Sequence, residues 1–129
     1  LSEKFRVLEN QTDINRILST YFDFINGKYL IKALKCFVNK KGYGQEIVFV
    51  SFKNDLDDYD MAELPKTLDD EHVLVELGFP AVEVEELAYL DFKTFYNYLE
   101  ENVTKVIKKN PEQNELVELL ENVRISLGV

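Results

Sequence analysis

At Asp91 the spacing of apolar residues changes, and that change restricts the fold more than any other feature of the chain. Beyond it, Phe92, Phe95, Tyr96, Leu99, Val103, Val106 and Ile107 recur every three or four residues, the mark of one buried helical face. Before it, between Gln45 and Leu87, short runs of β-branched and aromatic residues are separated by turn residues, the mark of strands. Strands in the middle followed by helices at the end call for a sheet with helices segregated to one side, the α+β class.

The remaining elements fill in around that boundary. Ile14, Ile17, Leu18, Tyr21, Phe22 and Ile25 predict a helix from about Asp13 to Ile25, capped by Thr12 or Asp13 and ended by Asn26-Gly27. Tyr29 to Val38 fits either a helix, with Leu30, Ile31, Leu34 and Phe37 on one face, or a strand. Lys40 to Gly44 reads as a turn. Gln45 to Lys53 is expected to be a central strand, with Ile47, Phe49 and Ser51 on one face and Val48, Val50 and Phe52 on the other. Asn54 to Asp70 looks like a long irregular excursion. Glu71 to Leu77 is a second strand, broken by Gly78-Phe79-Pro80. Ala81 to Leu87 is a third, with Val82, Val84 and Glu86 on one side and Glu83, Glu85 and Leu87 on the other, so that one face turns inward and one presents acid to water. Asp91 caps a helix to about Lys109. Asn110 then caps a last helix with Pro111 at its first position and Gln113 as capping-box partner. Leu116, Leu119, Leu120, Val123 and Leu127 form its stripe, and Gly128 stops it. The expected architecture is a single domain over residues 1–129: an antiparallel meander, because short connections favour hairpins, with one N-terminal and two C-terminal helices packed on it.

Composition enters through charge. The stretch from Asp55 to Asp91 holds 13 of the chain's 24 acidic residues and one lysine, Lys66. That segment repels itself, which lowers the stability of the compact state unless a basic partner benefits. The bland reading is a solvated face that keeps the protein soluble. A pI near 4.6 argues against nucleic acid as a direct ligand, because phosphate binding needs a basic face. No apolar run approaches the roughly 20 residues of a membrane span. The opening LSEKFRVLEN has no basic region followed by an apolar one and is not expected to be a signal peptide. Cys36 is the only cysteine, which excludes an internal disulfide and fits a reducing compartment, most simply the cytoplasm.

Catalytic and metal chemistry find little support. Asp55, Asp57, Asp58 and Asp60 resemble the start of a calcium loop, but Asp60 stands where the turn needs glycine and Lys66 where a bidentate glutamate is required. One cysteine and one histidine cannot make a zinc site. Cys36 lies in an apolar run, where a thiol is usually inert packing, so a Cys36–His72 nucleophile pair is disfavoured. Carboxylates are abundant, but nothing singles out a pair with the desolvated surroundings of a general acid or base. Gly42-Tyr43-Gly44 precedes a strand, not a helix N-terminus, and is no phosphate loop. No cofactor is expected. Tyr59, within Asp57-Asp58-Tyr59-Asp60-Met61, stands out differently: an aromatic ring among carboxylates supplies apolar area to an interface that charge alone would not.

Several segments together resemble a known family. A helix ending in Tyr21-Phe22-Asp23, the Gly42-Tyr43-Gly44-Gln45-Glu46 turn entering the Ile47–Phe52 strand, and the acidic stretch after it are three of them. The tail is the fourth, with Asp91-Phe92-Lys93-Thr94-Phe95-Tyr96-Asn97-Tyr98-Leu99, then Lys109-Asn110-Pro111-Glu112 and Glu118-Leu119-Leu120. About four-fifths of the chain is similar to the CdiI-type ribonuclease-toxin immunity proteins of contact-dependent growth inhibition and other polymorphic toxin systems. The pattern departs at Leu77-Gly78-Phe79-Pro80, where the family's glycine is followed directly by β-branched and aromatic residues.

The resemblance implies a non-enzymatic cytoplasmic protein that binds one cognate toxin C-terminal domain, a basic RNase, and blocks its active site or substrate groove. Charge agrees, since an RNase groove is positive and an acidic protein is steered into it. The expected contact surface is Asp55, Asp57, Asp58, Tyr59, Asp60 and Glu63, edged by Asp69, Asp70 and Glu71 and extended by Glu83 and Glu85. Two alternatives share the acidic surface: a metal-dependent carboxylate enzyme, such as a small nuclease or phosphohydrolase, and a nucleic-acid mimic that occupies a DNA-binding protein.

Overall fold

The computed structural model describes residues 4–112 and 114–129. Among them the order is β1 (Phe5–Val7), α1 (Gln11–Phe24), α2 (Lys28–Val38), β2 (Tyr43–Gln45), β3 (Val48–Ser51), a 3-10 turn (Lys53–Asp55), α3 (Asp58–Glu63), β4 (His72–Leu77), β5 (Glu85–Asp91), α4 (Phe92–Lys109) and α5 (Asn114–Leu127). The strands form one sheet in the order β1-β5-β4-β3-β2. Strands β2 to β5 are antiparallel neighbours, the expected meander. Strand β1 adds to β5 in parallel, with Phe5 opposite Glu85 and Val7 opposite Leu87. The sheet is therefore mixed, which corrects the purely antiparallel expectation. Three residues are too few for a period to register, and the partner of β1 lies far along the chain.

Helices cover one face of this sheet. Ile17, Leu18 and Tyr21 of α1, Leu34 and Phe37 of α2, Phe95 and Leu99 of α4, and Leu116 and Val123 of α5 are all buried in one core with Val48, Val50, Val73, Val75, Ala88 and Leu90. Phe37 meets Phe95 edge-on, with ring centroids 5.2 Å apart. The ambiguous Tyr29–Val38 segment is helical, because Leu30, Ala33, Leu34 and Phe37 reach the core while Lys28, Lys32 and Lys35 face solvent. The fully buried Tyr21 donates its hydroxyl to the Tyr43 carbonyl at 2.8 Å, tying α1 to the start of β2.

Several boundaries move for local reasons. Asn10, not Thr12 or Asp13, caps α1 by accepting from the Asp13 N–H at 2.8 Å. The segment expected as one strand from Gln45 to Lys53 is a hairpin: Glu46 takes φ +57° and folds Tyr43–Gln45 back onto Val48–Val50. Gly44 is required there, since a Cβ would lie 2.1 Å from the Phe49 ring. The third strand starts at Glu85, not Ala81, because β4 pairs from His72–Asp91 to Leu77–Glu86. Glu83 consequently lies in the connection. Glu86 faces the helices, and Leu87 is buried on the opposite side, so neither face is a simple acid-to-water surface. Asp91 does cap α4, accepting from the Thr94 N–H at 2.7 Å. Asn110 ends α4 with its N–H on the Val106 and Ile107 carbonyls, and α5 starts at Asn114 after a turn through Pro111 and Glu112. The expected role of Gln113 lies outside the described residues.

Candidate functional site

The excursion between β3 and β4 shapes the sheet's second face. Asp57 caps α3 by accepting from the Asp60 N–H at 2.7 Å. The excursion then places Leu56, Met61, Leu64 and Leu68 against Leu74 and Leu87 of the sheet. Asp58, Tyr59 and Asp60 are left exposed, Tyr59 by 72%. The expected irregular loop is thus a 3-10 turn and a short helix acting as a partial plug. Leu74 and Leu87 lie under it; Glu76 and its cross-strand partner Phe49 lie beyond.

Between α3 and the sheet is a cleft of about 410 Å³, lined by Tyr59, Asp60, Glu63, Glu76 and Glu85 together with Lys4, Phe5, Leu56 and Leu64. A second hollow of about 260 Å³, under the β2–β3 hairpin and lined by Gly42, Gly44, Phe49 and Asp55, also reaches Glu76. Lys4 pairs with Glu63 and holds its carboxyl below the usual range. Glu76 is different. Among the described residues no hydrogen bond or ion pair engages its carboxylate, and burial, then the charges of Glu85 and Asp60, push its pKa up to about 7. Such a group is relieved by a cation or by a proton.

Residues 14–120 match the family described as CDI immunity protein. The chain belongs to that family. The fold of this CDI immunity protein is similar to that of an immunity protein from Neisseria meningitidis MC58, with a TM-score of 0.63 at 13% identity over 86% of this chain and 89% of the other. No curated protein matches it in sequence. The family implies a cognate toxin as partner.

Several expected contact residues of the immunity protein have internal duties. Asp55 accepts from the backbone N–H groups of Gly42 at 2.8 Å and Phe52 at 2.7 Å, pinning the hairpin. Its neighbours therefore diverge instead of forming a calcium-like loop: Asp57 turns back to cap α3 while Asp58 points to solvent. Asp69 bonds the His72 ring at 2.7 Å and the Glu71 N–H at 2.9 Å, and these two bonds, the ring first, hold its pKa down. Asp70 and Glu71 are exposed beside it. This group sits at the far end of β4 from Glu76, roughly 15 Å away at the rise of a strand.

The structure accordingly gathers Tyr59, Asp60, Glu63 and Glu85 around one cleft and separates them from Asp69, Asp70 and Glu71. Glu83 is exposed in the connection before β5. Cys36 lies on α2, on the helix side of the sheet from His72. Sequence reasoning missed Glu76 and Phe49. The alternation His72, Leu74, Glu76 carried the signal for the first, but only the register with β3 pairs the two. Among the described residues no helix is long and apolar enough to cross a membrane.

Proposed function

We propose that this immunity protein neutralises a basic, nucleic-acid-cleaving toxin domain, a ribonuclease on the sequence resemblance, by covering its substrate groove with an acidic surface. It acts in the cytoplasm, by binding and not by turnover. The observation that supports the reading is the arrangement around α3. Tyr59 and Asp60, exposed beside Asp58, rim a cleft whose other walls carry Glu63, Glu76 and Glu85, while the main core is built on the opposite side of the sheet. A polyanion-binding groove is positive, and complementary charge accelerates encounter. The remaining candidates, Asp55, Asp57, Asp69, Asp70, Glu71 and Glu83, add to the field that steers the toxin in.

The test is the variant carrying Asp57→Asn, Asp58→Asn and Asp60→Asn. Asparagine retains the cap at position 57, so the fold is kept. Association with the cognate toxin domain should slow by about tenfold at low salt, and protection of cells expressing that toxin should fall. Binding and protection equal to the parent's would remove the acidic surface from the mechanism.

A further inference from the structure

The function proposed above leaves open where on the protein the toxin seats. We propose that it docks on the uncovered half of the sheet's second face, between the β2–β3 hairpin and α3, with a lysine or arginine of the toxin set against Glu76. The inference rests on the toxin-binding reading and specifies its geometry.

The face itself is the first argument. An antiparallel sheet packed on one side commonly turns polar residues to water on the other, but this second face is apolar in part, and the α3 excursion buries it only around Leu74 and Leu87. The remainder carries Phe49, 44% exposed in mid-strand, directly opposite Glu76. Both hollows are lined by Glu76, which is therefore reached from the α3 side and from the hairpin side. Tyr59 at 72% exposure stands on one rim, and Phe79 at 80% leaves the same end of β4. Aromatic groups over a rigid floor, ringed by polar residues, have the composition of an interface centre.

Charge selects the occupant. Among the described residues the groups lining the hollows with Glu76 are Asp60 and Glu63 from α3, Glu85 from β5, and Asp55 and Tyr43 from the hairpin side, with Lys4 the one cation among them. Lys4 is already paired with Glu63. A half-buried carboxylate among carboxylates is unfavourable alone and is relieved by an incoming cation. A basic toxin supplies that cation; an acidic or purely apolar partner leaves Glu76 desolvated and unpaired.

The purified cognate toxin domain is the probe. Its dissociation constant is measured at pH 8 and pH 6 for the parent, Glu76→Gln, Phe49→Ser and the double variant Asp70→Asn/Glu71→Gln. With Glu76 titrating near 7, parent affinity should drop about tenfold from pH 8 to pH 6. Glu76→Gln should bind about tenfold more weakly at pH 8, and its remaining pH dependence should be smaller by that same factor. Phe49→Ser should weaken binding at both pH values, and Asp70→Asn/Glu71→Gln should stay within about threefold of the parent. If Glu76→Gln and Phe49→Ser bind like the parent, the docking face is elsewhere, although the immunity function stands. A parent that does not bind the toxin domain at all overturns the function and this inference together.

Discussion

Glu76 and Glu86 stand on neighbouring rungs of β4 and β5 but on opposite faces of the sheet. Glu86 is 4% exposed and accepts from Arg16 at 2.9 Å and from Arg6 at 3.0 Å. The two arginines are half in water, so the cost of disruption is asymmetric. Arg16→Met should lower stability by about 2 kcal/mol, because it leaves a buried carboxylate short of a partner. Glu86→Gln should cost nearer 1 kcal/mol, and denaturant unfolding of both variants separates the two values. Glu76 works in the other direction. Its native pKa of about 7 lies above the ordinary 4.5, so the native state holds the proton more tightly than the unfolded chain does. The stability this confers is complete below about pH 4.5 and is lost as pH rises through 7. Glu76→Gln should therefore raise stability at pH 8 by about 2 kcal/mol and flatten the melting temperature between pH 5 and 8. The sequence shows both glutamates as acid in a strand. It does not show which is paired, because Arg6 and Arg16 arrive from distant elements.

The helices were legible where one face meets one core. The stripes of α1, α4 and α5 identify them directly, and α2 stayed ambiguous only because eleven residues of mixed apolar and lysine content also suit a strand. The strands were less legible. Gln45–Lys53 has continuous β character, and the turn that divides it depends on Glu46 entering the left-handed region, which glycine normally marks. The hairpin is held instead by Asp55, one of the residues first assigned to the toxin. Asp55→Ala should lose both backbone contacts and about 2 kcal/mol of stability, whereas Asp58→Ala, exposed and free of such contacts, should stay within about 0.5 kcal/mol of the parent. Urea melts of the two variants test the assignment. The candidate site was half legible: the sequence groups Tyr59, Asp60 and Glu63, which α3 sets around one cleft, but Glu76 and Phe49 on the sheet needed the strand register.

Across the whole molecule the charge is sorted by the sheet. On the helix side lysines and glutamates are mixed, as in the Lys35–Glu115 and Lys105–Glu101 pairs, while α3 and the cleft beneath it carry mainly acid on the other. Net charge is −9, and much of it is concentrated, so self-repulsion opposes folding. Salt should therefore act in two directions. Raising ionic strength from about 20 to 200 mM should increase the melting temperature of the free protein while slowing its association with a basic toxin. Calorimetry reads the first and stopped-flow mixing the second, and parallel responses would contradict the charge argument.

The parallel closure of β1 on β5 also sets an order of events in the cell. Arg6 and Glu86 are 80 residues apart, so the edge of the sheet cannot close until β5 has left the ribosome. At about 5–20 residues per second that wait lasts roughly 4–16 s, and α4 and α5 must follow before the core is complete. A nascent chain therefore has an open sheet edge until β5 emerges, and protection lags behind translation. A cell relying on this protein must keep a standing pool of finished molecules, because one begun after the toxin arrives is seconds late.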